Sequence, residues 1–277
     1  TRRIRVTIAS LFVISGLVAS ILIGPATAHT TNADTAADGV LWRANHETGD
    51  HSQWDRITIS GSASAKIVSN VTHRGNYANA LKVSNGYGGV RMVVTDIGLT
   101  NNAEDPKNLP DQGYFSIWYY FPQKIEPSSN VFQWKQAWQT GSNSQTRRLL
   151  YWVRADWNDN DNAFNFHLKT KVNNNNDTWD GTSRSLAISS RKVPLNTWVH
   201  LECSYKWSKN GNGRIVCWQD GNKIFDFDNL TTEFNWSYLR YPRQWTVNNY
   251  TGSYRTNPEN HTIYVDDAAI ATSRIGP

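Results

Sequence analysis

Two short rows of polar side chains are the residues of this sequence whose types and spacing could do chemistry. Asn165, His167 and Lys169 alternate with large apolar residues, and Gln133 and Lys135 alternate with aromatic residues. Successive side chains of a β-strand point to opposite faces of the sheet. Each row therefore lies opposite the core, and its amide, imidazole and ammonium groups, with no carboxylate between them, suit an anionic ligand. A plain solvated sheet face is the alternative that this alternation leaves open.

Tryptophan gives a second indication of binding. Most of the 13 Trp residues must pack in a core, but Trp138, Trp157 and Trp179 lie at strand ends or in Asn-rich segments. Flat aromatic rings bury the apolar faces of sugars at a small entropic cost. We therefore assign Trp138 to carbohydrate contact, with core packing as the alternative for each ring.

The elements that must position these residues are strands. Short runs rich in Val, Ile, Tyr, Phe and Trp are separated by Gly, Asn, Asp and Pro, and no helical periodicity exceeds a turn or two. About eleven strands without helical crossovers predict an all-β jelly-roll sandwich of two antiparallel sheets. The predicted strands are 66–71, 80–84, 89–95, 114–121, 131–138, 149–154, 164–171, 198–207, 214–219, 245–250 and 262–271.

The sharpest local prediction is a hairpin around residues 210–213. Two Asn-Gly pairs there tolerate the positive φ of a tight turn. Cys203 and Cys217 lie symmetrically about residue 210, so an antiparallel register places them opposite each other. A cross-strand disulfide follows in an exported chain, and two buried free thiols are the alternative.

The amino terminus predicts export. Arg2, Arg3 and Arg5 precede an apolar run and the small residues 26–28, which together indicate a signal peptide over residues 1–28. A membrane anchor is the alternative, although the run is short for a span. Residues 29–38 are predicted to be a linker, and residues 39–277 a single domain that we expect to be secreted and monomeric, without membrane contact once the leader is cleaved.

Charge and motifs exclude several functions. Residues 1–28 hold three of the 28 basic residues and none of the 23 acidic ones, so 25 bases face 23 acids beyond the leader, a net charge of +2. The longest basic cluster is Arg147-Arg148, which does not suit a nucleic-acid partner. The sequence lacks GxSxG, HExxH and P-loop motifs and the paired-Glu strand pattern of sandwich glucanases.

Longer segments resemble a known family. VLWRANHETGDHSQWD, VFQWKQAW, NTWVHLECSYKWSKNGNGRIVCWQDGNKIF, NNYTGSYR and HTIYVDDAAIA stand in the family's order between residues 40 and 272. They resemble the secreted polysaccharide lyases related to heparin lyase I and glucuronan lyase, which have a concanavalin A-like jelly roll. The resemblance implies β-elimination on a polysaccharide that contains uronic acid.

The resemblance also implies roles for individual residues. Gln133 matches the Gln of the family's groove and would neutralise the uronate carboxylate with help from Lys135 or Arg91. Tyr250 matches the Tyr that transfers protons, with His73 or His167 as its partner and Tyr254 as its substitute. Four residues are expected to bind substrate, namely Arg91, Asn165, Lys169 and Trp138.

A structural calcium is the remaining implication. In related jelly rolls a Glu of the opening motif and an Asp of the last strand share one calcium, which prefers such hard oxygen ligands. The corresponding residues are Glu47 and Asp266 or Asp267. An exposed strand end is the alternative reading of the two aspartates.

Two other functions stay open on the same fold. A non-catalytic carbohydrate-binding protein would keep the Trp residues and calcium without the proton-transfer groups. A jelly-roll glycoside hydrolase would need two carboxylates on one face, with Glu202 as one of them.

Overall fold

The runs of β-branched and aromatic residues form thirteen strands in the part of the chain that the structure describes. This computed structural model describes residues 39–98, 109–126, 128–140, 144–175, 178–234, 243–252 and 260–277. At 85–87, 137–140, 144–147 and 252 it describes the backbone only. The predicted leader and linker lie outside these ranges. The strands are β1 (Val40–Ala44), β2 (Arg56–Val68), β3 (Ala78–Val94), β4 (Gln112–Tyr120), β5 (Ser128–Thr140), β6 (Ser144–Asn158), β7 (Ala163–Asn173), β8 (Thr178–Val193), β9 (Trp198–Lys206), β10 (Gly213–Gln219), β11 (Asn222–Leu230), β12 (Arg243–Gly252) and β13 (His261–Ala271).

All strand pairs are antiparallel, and eleven of the thirteen strands follow the order β11-β10-β9-β4-β13-β3-β12-β5-β6-β7-β8. The other two lie beside this order, where β1 pairs with β13 and β2 pairs with β3. Strand β3 belongs to both sheets, because its first half pairs with β13 and its second half with β12. Gly88 lies at the change, with φ of 106°, and a Cβ there would come within 2.0 Å of the Ser60 carbonyl oxygen. Only glycine fits this position.

The two halves of the strand order pack face to face. Phe115 of β4 contacts Trp134 of β5 and Trp245 of β12, although neither strand neighbours β4. The Trp134 and Tyr205 rings stack with centroids 4.5 Å apart. We call β11-β10-β9-β4-β13 with the first half of β3 the first sheet, and the second half of β3 with β12-β5-β6-β7-β8 the second sheet. The predicted jelly-roll sandwich is confirmed.

The predicted core faces are also confirmed. Phe132, Trp134, Phe164, Phe166 and Leu168 are completely buried in one apolar cluster. The residues between them therefore point away from the core, as the alternation requires.

Most strands were predicted, and the differences have simple causes. The predicted strands 80–84 and 89–95 form one continuous β3, since Gly88 bends the chain without ending it. Strands β1, β8 and β11 were not predicted, because β1 is short and β8 and β11 are largely polar. The described ranges hold no helix that could span a membrane.

The predicted hairpin and its disulfide are present. Cys203 and Cys217 are direct partners in the β9–β10 register and form a disulfide with Cα atoms 4.1 Å apart. Both are buried, so the bond ties two central strands of the first sheet together at the core.

Candidate active site

The outward side chains of the second sheet form a polar surface, which we call the polar face. The sequence rows 133–135 and 165–169 lie on it, so the structure places five predicted site residues together. The polar face consists of Arg91, Thr246, Asn248, Tyr250, Gln133, Lys135, Trp152, Arg154, Asp156, Asn165, His167 and Lys169.

Tyr250 and Arg91 meet at one end of the polar face. Tyr250 pairs with Gly89 and Asn248 pairs with Arg91 across β12 and β3. The Arg91 guanidinium carbon lies 4.2 Å from the centre of the Tyr250 ring, a cation–π distance. A Cβ at Gly89 would come within 2.6 Å of the Tyr250 ring, so glycine makes room for this ring position.

Gln133 lies next to this pair. It pairs with Thr246 on one side and with Trp152 on the other, and the Thr246 hydroxyl donates a 3.5 Å hydrogen bond to its Oε1. Gln133 is buried, but by neighbours on the polar face, because the core residues Phe132 and Trp134 point the opposite way.

Three buried polar atoms around Gln133 have no hydrogen-bond partner among the described residues. They are Arg91 Nε, Trp152 Nε1 and Asn248 Oδ1. Buried polar atoms are almost always paired in folded proteins. Arg91 Nε and Asn248 Oδ1 lie on the adjacent strands β3 and β12, and Trp152 Nε1 lies on β6 beyond β5, so we take these atoms as candidate hydrogen-bonding groups for a polar ligand.

A buried hydrogen-bond network fixes the backbone of Tyr250 from the core side of the second sheet. The Ser129 hydroxyl accepts a 3.1 Å bond from the Tyr250 N–H and donates a 2.8 Å bond to Asn249 Oδ1. His261 Nε2 lies 3.0 Å from the same oxygen, and the Asn249 amide donates to the Leu81 carbonyl. Ser129, Asn249 and His261 are buried, so the backbone of Tyr250 is fixed from the core side.

A second cluster surrounds His167 on β7. Its Nδ1 lies 2.7 Å from Asp156 Oδ2, and its Nε2 lies 2.7 Å from Ser185 Oγ. Arg154 also pairs with Asp156. Burial by itself would raise the pKa of Asp156, but hydrogen bonds from His167 and Arg154 outweigh it and hold the pKa below its ordinary value. Burial, with the nearby charge of Arg154, lowers the pKa of Lys169.

The two clusters are separated on the face. Tyr250 pairs with Asn130, Asn130 with Arg154, and Arg154 with His167. Three strand spacings separate Tyr250 from His167, or about 14 Å. The predicted partnership of His167 with Tyr250 in one proton transfer is therefore not what the geometry provides.

The structure corrects the placement of His73. Its ring stacks on Trp118 at 3.8 Å and its Nδ1 lies 2.8 Å from Asp267. Trp118 alternates with the buried Ile117 and Tyr119 of β4, so it points outward from the first sheet. His73 thus lies on the opposite side of the sandwich from Tyr250, because the segment before β3 runs along the first sheet.

The predicted calcium ligands bind backbone amides instead. Glu47 accepts hydrogen bonds from the N–H groups of Asn76 and Tyr77, and Asp266 accepts from those of His73 and Arg74. Asp267 is bonded to His73. N–H groups bind these carboxylates as placed, and the described part of the chain has no group of three His, Cys, Asp or Glu side chains that could hold a metal ion. Calcium stays a prediction of the resemblance.

The remaining predicted residues are distributed as follows. Glu202 is buried on the first sheet, where it accepts hydrogen bonds from the N–H groups of Ile275 and Gly276. It is therefore far from the polar face and does not form the carboxylate pair that a hydrolase needs. The Trp138 side chain and Tyr254 lie outside the described residues. Asn165 lies on the polar face and accepts a 3.1 Å hydrogen bond from Asn158.

Several residues of the polar face were not predicted from the sequence. Trp152, Arg154 and Asp156 alternate with buried residues of β6, as Thr246 and Asn248 do on β12. The same period-two pattern that indicated His167 could have found them. Ser185 could not be found this way, because β8 was not recognised as a strand.

The sequence profile described as polysaccharide lyase matches residues 46–269. No curated protein matches the chain. Among solved structures, the chain is similar to an endo-β-1,4-glucuronan lyase from the fungus Trichoderma reesei, with 15% identity and a TM-score of 0.60 over 84% of this chain and 96% of that one.

Two alginate lyases have the same fold. The one from Aplysia kurodai is 14% identical with a TM-score of 0.54, over 84% of this chain and 99% of that chain. The one from a Chlorella virus is 12% identical with a TM-score of 0.54, over 79% of this chain and 93% of that chain. At this identity the structural similarity shows a shared fold.

Proposed function

Because the chain belongs to the polysaccharide lyase family, we propose that it cleaves a uronic-acid polysaccharide by β-elimination on the polar face. One observation carries the proposal. Tyr250, Arg91 and Gln133 lie together on one face, beside three buried polar atoms that have no partner among the described residues. The similar structures include lyases named for glucuronan and alginate, which are both uronic-acid polymers.

The chemistry needs the C5 proton of the uronate to become acidic. Arg91 and Gln133, with Lys135 on the same strand, would bind the carboxylate at C6 and stabilise the negative charge that develops when the proton leaves. Arg91 supplies the charge and Gln133 an amide N–H donor. Their positions on neighbouring β3, β12 and β5 are set by strand register, so they need no rearrangement to act.

Tyr250 is the group that we assign to proton transfer. Its phenolate oxygen would take the proton from C5, the electron pair of that C–H bond would form the C4=C5 double bond, and the C4–O bond would break. The same oxygen then returns the proton to the leaving oxygen. His73 lies on the other sheet and His167 about three strand spacings away, so Tyr250 acts without either histidine in this proposal.

The direct test is to incubate the purified chain with glucuronan, alginate, heparin and pectin and to follow the ultraviolet absorbance of the unsaturated uronate. We expect activity on at least one polymer and a loss of about 10²- to 10⁴-fold in Tyr250→Phe, since general acid–base catalysis is typically worth that much. Tyr264→Phe, on the first sheet, is the matched control and should keep full activity.

The results of this assay distinguish a lyase from a carbohydrate-binding protein. Binding of an anionic polymer without any absorbance change would replace the lyase with a carbohydrate-binding protein. Full activity in Tyr250→Phe would contradict the assignment of Tyr250 while leaving elimination in place.

We also propose that the chain is exported and that its leader is removed near residue 28. The Cys203–Cys217 disulfide supports this proposal, because such bonds persist in oxidising compartments. Mass spectrometry of the amino terminus of protein recovered from the culture medium tests it, and retention of residues 1–28 would contradict it.

A further inference from the structure

The cluster around His167 has a geometry that elimination does not use. Ser185 Oγ lies 2.7 Å from His167 Nε2, and Asp156 Oδ2 lies 2.7 Å from His167 Nδ1. A hydroxyl on one imidazole nitrogen and a carboxylate on the other is the arrangement that activates serine in acyl transfer, whatever the fold or order in sequence. The three residues come from the adjacent strands β6, β7 and β8.

The hydrogen bonds fix the direction in which protons can move. A carboxylate only accepts hydrogen bonds, so Asp156 requires the proton of His167 to be on Nδ1. Nε2 then carries its lone pair toward Ser185 and can accept the hydroxyl proton. Arg154 pairs with Asp156 and keeps this carboxylate charged and in place.

Accessibility separates this cluster from an ordinary buried Ser–His contact. Ser185 is exposed on the outermost strand of the second sheet, while His167 beside it is buried. The first sheet has a second pair, in which Ser116 Oγ lies 2.7 Å from His200 Nε2. There both residues are buried and His200 Nδ1 has no described partner. Of these two described pairs, only Ser185 and His167 combine an exposed hydroxyl with a carboxylate on the other imidazole nitrogen.

We propose that Ser185, His167 and Asp156 form a second catalytic site that hydrolyses esters on the bound polysaccharide. The surroundings favour an O-acyl ester on a sugar hydroxyl, such as an acetate. Lys169 and Arg154 outnumber the Asp156 carboxylate in this cluster, and the positive charge that remains suits a chain whose uronate carboxylates are free. A methyl ester would remove that negative charge.

The reaction balances with water as the only co-reactant. Ser185 Oγ attacks the acyl carbon as its proton passes to His167 Nε2. The bond between the acyl carbon and the sugar oxygen breaks, and that oxygen takes the proton from His167. Water then attacks the acyl carbon as His167 Nε2 takes one of its protons. The bond between the acyl carbon and Ser185 Oγ breaks, Oγ takes the proton back from His167, and the free acid leaves. Lys169 is the cross-strand partner of Ser185, so its ammonium lies on the same face and can stabilise the charge on the acyl oxygen.

The first experiment needs no polysaccharide. The full chain is treated with a fluorophosphonate, which reacts with activated serines, and the modified residue is identified by peptide mass spectrometry. We expect modification at Ser185, none at this position in Ser185→Ala, and unchanged labelling of Ser185 in the control Ser183→Ala, which changes an exposed serine of the same strand. Absence of label at Ser185 in the wild-type chain would overturn the proposal.

The second experiment measures acid and alcohol released from an acetylated and a methyl-esterified uronan. We expect acetate from the first and no methanol from the second. Asp156→Asn should lower acetate release by roughly 10³-fold or more, as the corresponding change does in other triads. Ser185→Ala should abolish acetate release and leave the absorbance assay for elimination unchanged. Equal acetate release by wild type and Ser185→Ala would refute the ester site. Acetate release that depends on Ser185, without any elimination by the wild-type chain, would support the ester site and contradict the proposed lyase activity.

Discussion

At the scale of single residues, the side chain at position 133 determines whether the polar face binds or repels the substrate carboxylate. Gln133 is a neutral amide flanked by Thr246 and Trp152, with Arg91 and Lys135 supplying positive charge to the same face. A second carboxylate there would repel the group that elimination must neutralise. The amide can donate a hydrogen bond to the substrate, which a carboxylate cannot do.

We therefore expect Gln133→Glu to lower kcat for elimination by about 10²- to 10³-fold, comparable with the loss of one donor to a developing oxyanion. The measurement is initial rate by ultraviolet absorbance on the best polymer of the panel. Gln123→Glu, at an exposed position in the loop after β4, is the control and should keep the wild-type rate. A Gln133→Glu enzyme as active as this control would exclude Gln133 from carboxylate binding.

The residue types and their alternation were enough to predict an outward face with amide, imidazole and ammonium groups but not all the residues on it. Gln133, Lys135, Asn165, His167 and Lys169 could be assigned to one outward face from local period-two patterns alone. His73 could not be placed, because its location depends on which sheet the segment before β3 follows. The contact of His167 with Ser185 depends on the long-range register between β7 and β8, which no local pattern contains.

At the scale of strands, irregularities in β5 and β12 give Tyr250 its position. The register shifts between Asn130 and Phe132 on β5 and between Val247 and Tyr250 on β12. Ser129 lies where these shifts meet and bridges the Tyr250 N–H and Asn249. Such irregularities re-aim side chains near active sites, and here the buried hydroxyl fixes the result.

Ser129→Ala should therefore act on catalysis more than on binding. Removing the hydroxyl leaves the Tyr250 N–H and the Asn249 amide oxygen short of a partner, which costs about 1–3 kcal/mol of stability. We expect kcat to fall about tenfold or more with KM changed less than twofold, measured by full rate curves after confirming the fold by circular dichroism. Ser129→Cys, which keeps a weak donor and acceptor, should recover part of kcat.

An outcome in which Ser129→Ala loses stability but keeps kcat would make Ser129 a purely structural residue.

The register shifts in β5 and β12 could not be predicted from the sequence. The apolar and aromatic content of β5 and β12 predicted both strands, whereas a register shift of one residue depends on the pairing of two distant segments. The same reason explains β8, whose polar sequence follows its place at the sheet edge rather than any intrinsic strand preference.

At the scale of the whole molecule, the outer surfaces of the two sheets differ in what they contact. The second sheet carries the polar face, and the first sheet is partly covered by the segments around residues 73 and 275. Trp118 lies under His73, while Glu202 binds the backbone of Ile275 and Gly276. We infer that this side serves stability, since its polar side chains are committed to holding the chain against the sheet.

His200 makes this side sensitive to acid. Burial, then the charges of His73, Arg274 and Arg74, lower its pKa from 6.5 to about 4. Between these values the unfolded chain binds a proton that the folded chain does not, so stability must fall as the pH falls from about 6.5 toward 4. Above pH 7 both states leave His200 neutral, and its contribution to stability is complete.

The expected contribution between pH 7 and pH 5 is roughly 2 kcal/mol. The free energy of unfolding, measured by urea titration at both pH values, should therefore decrease by about this much more in the wild-type chain than in His200→Gln. All other titrating groups are common to the two proteins and cancel in the difference. An equal pH dependence in both would mean that His200 takes up its proton in the folded state. In that case the folded protein would hold a charged His200 imidazolium between Trp118 and Ser116, which the close packing of these groups opposes.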